Sequence, residues 1–277
     1  MDLRTKILRA EPGKNQAAIF YLGQEGVLIK RAGMYFLFDP YLTDFVDRTC
    51  SSEAIVWQRN YPSPIQPAEL DFVDYVFCSH AHEDHTDPET LQAIATASPN
   101  VKFVGCAKVC RRYRTACNLP EDRILCLKTD QLVWLCKNIS VRAVPSAHEE
   151  LHPDGEGSYE ETGFVLDVDG MSFYHAGDCC VYDGLTQRIA GADVGFLPIN
   201  GRDYFRLSKG IIGNMDSTEA IMLARDAGIS LLVPLHFDLY DVNCVNPAYF
   251  VDCLTKIAPR QPFHIFTPGE KLLYERP

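Results

Sequence analysis

The chain has 277 residues, 47% of them apolar and 23% charged, with a formal net charge of −11. That length supports a large core and fits one large domain or two small ones. The acidic balance argues against a nucleic-acid surface, which needs a basic patch to neutralise phosphates, and no stretch approaches the roughly 18 consecutive apolar residues of a membrane span.

Met1–Lys6 lacks the apolar core of a signal peptide, so a cytoplasmic protein is expected. Eleven cysteines are many, yet there is no Cys-x-x-Cys and the total is odd. Most read as buried thiols in a reducing compartment, since a chain this long needs no disulfide framework. Cys179-Cys180 stands apart because it follows a candidate metal ligand.

In chain order, 17–22 and 26–30 read as two strands joined through Gly23-Gln24-Glu25, and 34–38 as a third, together an antiparallel meander. Asp39-Pro40 closes it and reads as a turn starter, leaving Asp39 structural. Residues 41–70, with Trp57, Arg59, Tyr61 and three prolines, form a long irregular loop that suits a lid or substrate wall as well as a packed excursion. Phe72–Cys78 is a short apolar run that predicts a buried strand. Asp87-Pro88-Glu89 then predicts a helix start, with an N-cap, a proline at the first position and an acidic first turn.

Between that strand and that helix lies Ser79-His80-Ala81-His82-Glu83-Asp84-His85. Neutral imidazole and carboxylate are ligands that zinc, manganese and iron(II) accept. Four such groups in a His-x-His-x-Asp-His pattern, held by rigid elements on both sides, point to a metal site rather than a solvated loop.

Further strands are expected at 101–105 and 123–127, with a helix through Tyr113 between them; its Arg111-Arg112-Tyr113-Arg114 cluster reads as a solvated face. A hairpin over 131–144 delivers His148, and one over 163–175 delivers Gly177-Asp178. A strand at 194–199 leads to Asn200-Gly201-Arg202. Asp216-Ser217-Thr218-Glu219 is a capping box for a helix to Ala227, and the strand Leu231–Leu235 delivers His236. A helix near 247–257 and strands at 263–266 and 271–274 complete the chain. His175 reads as a hydrogen-bonded core histidine and His264 as structural. His152 reads as a surface histidine near the site.

The succession His80-x-His82-x-Asp84-His85, His148, Gly177-Asp178, His236 resembles the metal-binding signature of the metallo-β-lactamase superfamily. That resemblance implies an αββα sandwich of two mixed sheets flanked by helices, formed by residues 1–277 as one domain. It also implies two divalent metal ions, zinc or manganese. His80, His82 and His148 would hold one; Asp84, His85 and His236 would hold the other, with Asp178 bridging. Two cations sharing a hydroxide lower the pKa of water to about 7 and polarise the electrophile, and Asp84 would orient the nucleophile. No Ser-His-Asp or Cys-His nucleophile is required.

Phe173–Asp178, Met215–Ala220 and Val233–Asp238 are similar to stretches of the L-ascorbate-6-phosphate lactonase group. The chain is shorter than that enzyme before the first motif and between His148 and Asp178. It also lacks a clear basic cluster for a phosphate, with Arg202, Arg206 and Lys209 the best candidates. The expectation is a hydrolase of a small anionic metabolite, first a lactone of a phosphorylated sugar acid. Asn200 and Arg202 would hold its anionic group, arginine suiting bidentate recognition of carboxylate or phosphate. A metal-dependent phosphodiesterase is the alternative enzyme, and a non-catalytic metal-binding protein the alternative of another class. Self-association into a homo-oligomer is left open.

Overall fold

The computed structural model describes residues 1–276. The chain begins with α1 (Leu3–Arg9) and the meander β1 (Gln16–Gly23), β2 (Gly26–Arg31) and β3 (Met34–Phe38). After α2 (Phe45–Thr49) come β4 (Tyr75–Phe77), α3 (Pro88–Ala97), β5 (Lys102–Gly105), α4 (Ala107–Thr115) and β6 (Ile124–Cys126). The second half contains β7 (Leu132–Cys136), β8 (Ile139–Pro145), β9 (Thr162–Val168), β10 (Met171–His175), α5 (Leu185–Arg188) and β11 (Val194–Pro198). It closes with α6 (Tyr204–Ser208), α7 (Ser217–Ala227), β12 (Leu231–Leu235), α8 (Pro247–Ile257) and β13 (Lys271–Glu275).

The strands form two mixed sheets, ordered β13-β1-β2-β3-β4-β5-β6 and β12-β11-β10-β9-β8-β7. Their inner faces meet in an apolar core in which Phe36, Phe38 and Phe77 pack against Phe164, Phe173 and Phe196. The strands that carry this core are buried on both faces, which is why they read as continuous apolar runs rather than alternating ones. Helices α1, α3 and α4 cover the outer face of the first sheet, and α5, α7 and α8 that of the second. The result is the expected αββα sandwich. Among the described residues, no helix is long and apolar enough to cross a membrane.

Helix starts follow the sequence closely. Asp87 caps α3 by accepting from the Glu89 N–H, and Asp216 and Glu219 cap α7 reciprocally before Gly228 ends it at φ 67°. Three details differ from expectation. The strand predicted over 72–78 pairs only at Tyr75–Phe77, because the Asp74 carboxylate accepts from the Tyr35 N–H and Phe72 leaves the ladder to pack on the Tyr35 ring at 4.8 Å. No strand forms at 263–266: Leu232 pairs with Pro262 O and His264 N, a single rung on the β12 edge before the chain turns at Thr267–Glu270. Finally, Cys110 and Cys126 form a disulfide linking α4 to β6, whereas Cys78, Cys106 and Cys179 are buried thiols.

Candidate metal centre

Strand ends converge on one edge of the sandwich. β4 delivers His80 to His85, β8 delivers His148, β10 delivers Asp178 and β12 delivers His236. His80, His85, His148, Asp178 and His236 are all buried, whereas His82 is exposed and Asp84 half-buried, so the cluster opens on their side. All seven side chains expected to ligate lie together. His80 Nε2 is 3.0 Å from His82 Nδ1, and His148 Nε2 is 3.3 Å from that same nitrogen. On the other side, His85 Nε2 lies 3.5 Å from Asp84 Oδ2, and His236 Nε2 lies 3.9 Å from it.

Asp178 stands between the two groups. Its Oδ1 is 3.4 Å from both His85 Nε2 and His236 Nε2, and its Oδ2 is 3.8 Å from His148 Nε2. His85 Nε2 and Asp178 Oδ1 are nonetheless buried without a hydrogen-bond partner. Leaving such atoms bare is costly, and coordination to a cation removes the cost. In each of the triads His80–His82–His148 and Asp84–His85–His236, one donor atom per residue lies within 4.8 Å of the others. This donor set fits divalent cations.

The electrostatics divide the imidazoles into two kinds. Burial, reinforced by the neighbouring histidines, holds His80 well below the ordinary histidine value, and burial brings His148 down to about 4. Both are therefore neutral donors near pH 7. Burial pulls His85 the same way, but Asp84, Asp178 and Asp39 overcome it and hold His85 well above the ordinary value. Burial would raise Asp178 and Asp84, yet the surrounding imidazoles, His236 foremost for Asp178 and His85 for Asp84, keep both carboxyls low. A proton on His85 balances these carboxylates, and a cation held at His85 Nε2 would displace it.

Two residues at this centre escape the sequence reading. Asp39, taken as a turn starter, is fully buried and accepts from His85 Nδ1 at 2.9 Å, Ser79 N at 2.7 Å and Ser79 Oγ at 2.6 Å. It thereby fixes the tautomer that leaves His85 Nε2 free toward the centre. Gln24, in the β1–β2 turn, donates from Nε2 to Asp84 Oδ2 at 2.8 Å and lies 3.0 Å from His236 Nε2. Backbone conformation supplies a shared mark: Gln24, Asp39, Glu149 and His236 all have positive φ, at 57°, 38°, 62° and 56°. Non-glycine residues in that region are uncommon and concentrate at functional sites.

The other histidines lie outside the cluster. His175 Nε2 is 2.9 Å from the Glu25 carbonyl oxygen and its ring stacks on Phe38. His152 pairs with Glu161 at 3.0 Å, and His264 with Glu270 at 2.9 Å.

The expected anion-binding pair is engaged by neighbouring protein groups. Arg202 donates both terminal guanidinium nitrogens to Glu219, each at 2.7 Å, and lines an outer cleft with Glu149, Glu150, His152 and Asp203 that shares His148 and Ile212 with the pocket over the cluster. Asn200 is buried, bonded through Nδ2 to Asn243 and through Oδ1 to Asn214. Arg206 is occupied by Asp203, the Asn200 carbonyl and Asn243, and Lys209 by the Ala54 carbonyl. Arginine spacing in a sequence does not reveal that Glu219, already capping α7, will claim Arg202.

Gly177 places Asp178. Its φ is +58°, and an added Cβ would overlap Ser79, coming within 2.6 Å of an Oγ already committed to Asp39. Gly177→Ala is expected to cost about 2–5 kcal/mol through the left-handed backbone and the clash, read by urea unfolding; an unchanged midpoint would refute the tight fit.

Comparison with known proteins gives the family. The profile of the beta-lactamase superfamily domain matches residues 35–237. A UPF0173 metal-dependent hydrolase of Opitutus terrae is 27% identical over 264 residues, 91% of this chain and 97% of that protein. One from Methanoculleus marisnigri is 28% identical over 226 residues, 80% of this chain and 89% of its own length. Among solved structures, the isothiocyanate hydrolase from Delia radicum gut bacteria superposes with a TM-score of 0.73 at 16% identity, covering 94% of this chain and 99% of that one. That last likeness is one of fold. With the profile running from β3 to the residue after His236, and so across every strand end that feeds the cluster, this chain belongs to the beta-lactamase superfamily domain family.

Proposed function

We propose that this protein is a metal-dependent hydrolase that opens a small lactone, with residues 1–277 acting as one catalytic domain. The observation that carries the reading is Asp178, buried between two imidazole groups with an unpartnered oxygen toward one of them. His80, His82 and His148 would hold one divalent cation, zinc or manganese; Asp84, His85 and His236 would hold a second, with Asp178 shared. Cations bound there supply Lewis acidity and bring the pKa of water to about 7.

The chain's own groups do the rest. Asp84, anchored through Oδ2 by Gln24, takes a proton from the attacking water and returns it to the departing ring oxygen. The water oxygen joins the carbonyl carbon, the ring C–O bond breaks, and a hydroxy acid leaves. The pocket over the cluster has a volume of about 240 Å³, below the roughly 300–1,000 Å³ of drug-sized sites, and so suits a small ring. Val46, Trp57, Ile211 and Ile212 line its wall, which suits an uncharged ring. The phosphate of a sugar-acid substrate finds no free cation on this wall, because Arg202, Arg206 and Lys209 are all engaged elsewhere.

The test is to incubate zinc- and manganese-loaded protein with a panel of lactones and a generic phosphodiester. Lactone opening that falls at least about 100-fold in Asp84→Ala is the expected result, the proton-transfer contribution lying at about 10²–10⁴. Cleavage of the phosphodiester alone would shift the assignment to a phosphodiesterase. Silence on both would leave a metal-binding protein without this chemistry.

A further inference from the structure

The pocket wall facing the histidines is largely apolar, with Asn243 its polar member. Val46 and Trp57 reach it from the segment between β3 and β4, Ile211 and Ile212 from the segment between α6 and α7, and Tyr240 from beyond β12. Among the described residues, no lysine or arginine lines this pocket.

The wall is held from behind. Tyr240 is buried, and its Oη lies 2.8 Å from both Asp47 Oδ1 and Tyr41 Oη. Asp47 Oδ2 in turn accepts from the Arg59 N–H at 2.8 Å. The phenol is therefore satisfied inside the protein while its ring lines the pocket and meets Trp57 edge-on at 5.1 Å. Tyr41, Val46, Leu239 and Tyr240 form a separate apolar cluster on which Trp57 packs. Lys209 donates to the Ala54 carbonyl at 3.1 Å, joining the two wall segments beside the pocket. An anionic substituent here would meet aromatic and aliphatic surface, and the side-chain cations around it are already paired, Arg112 with Glu83 on the rim at 3.1 Å and Arg202 of the adjoining cleft with Glu219 at 2.7 Å.

We infer that the pocket selects a neutral cyclic ester carrying an alkyl substituent, and that Trp57 is the residue that sets this preference. The inference rests on the lactone-opening reading for the ring and on the wall for the substituent. Each methylene removed from water contributes about a three- to fourfold gain in affinity, until the small volume is filled.

Calorimetry on the metal-loaded full chain, with γ-lactams bearing methyl, propyl or pentyl side chains as unhydrolysed probes, tests it. Affinity is expected to climb along the series by about three- to fourfold per methylene, and a carboxylate-bearing lactam of equal size is expected to bind more weakly than the propyl compound. Trp57→Ala should lower affinity for the pentyl lactam at least tenfold with metal content unchanged, and Trp57→Phe should restore most of it. A flat series, or tightest binding by the carboxylate compound, overturns the inference. Rates on the matching lactones separate the two proposals. Chain-length-dependent binding without turnover supports the apolar selectivity and removes the lactonase reading; turnover without chain-length dependence does the reverse.

Discussion

Asp178→Ala should at least halve the metal that purifies with the protein and lower hydrolysis by more than about 100-fold, the upper end for losing even an outer partner of a metal ligand. The size of the effect follows from position. Asp178 is the one carboxylate near both imidazole groups, with Oδ1 toward His85 and His236 and Oδ2 toward His148. Its loss also removes a buried negative charge that would offset the charge of a cation held by the imidazoles. Elemental analysis of protein purified without chelator, alongside circular dichroism to confirm folding, reads the outcome. Full metal occupancy in the folded variant would show that Asp178 is not a shared ligand.

Asp39→Ala should weaken metal binding by about 10–100-fold although Asp39 is not among the seven residues expected to ligate. The carboxylate orients His85 through Nδ1 and is itself held by two bonds from Ser79. It also contributes to the raised pKa of His85, which gives a second readout with a definite sign. In the unchanged protein His85 is protonated before metal binds, so uptake releases that proton, and affinity rises with pH until His85 is neutral in the metal-free form. Removing Asp39 lowers the His85 pKa. The variant should therefore release less proton at neutral pH, and its affinity should level off at lower pH. Titrations in buffers of different ionisation enthalpy measure both effects. Unchanged proton release would place Asp39 back in a purely structural role.

The chemistry of the centre is legible wherever it coincides with local pattern. A run of β-formers ending in His148, Asp178 or His236 declares both the strand and the edge at which its last residue emerges, and the two sheets do bring these ends together. His80 to His85 announce themselves by density alone. Asp39 and Gln24 do not, for different reasons. Asp39 precedes a proline, and an Asp-Pro at a strand end is more often a turn; its burial depends on Ser79, forty positions away. Gln24 occupies a two-strand turn where any polar residue would pass, and only the pairing of β1 with β2 points its amide at Asp84. Arg202 shows the opposite limit, since a cation after a strand reads as free until the helix that follows supplies Glu219. Short elements such as α2 and α6 are similarly silent, because five residues cannot display a helical period.

The bridge between Asn200 and Asp216 has a consequence for how this protein acquires new substrates. With Gly201 N bonded to Met215 O and Asn214 N to Gly201 O, the chain leaves and re-enters the fold at one pinned stem. Everything between, including α6, Ile211 and Ile212, belongs to neither sheet. None of the seven clustered side chains lies within it. The largely exposed part of the segment, 202–210, is thus a cassette on a fixed chassis: it can lengthen, shorten or be exchanged while Gly213, Asn214 and Met215 keep the stem tied to Glu149, Asn200 and Cys179. Repertoire in such a molecule changes by insertion rather than by remodelling its core, and grafting the 202–210 stretch of a relative onto this stem should alter which side chains are accepted while the contribution of Trp57 remains.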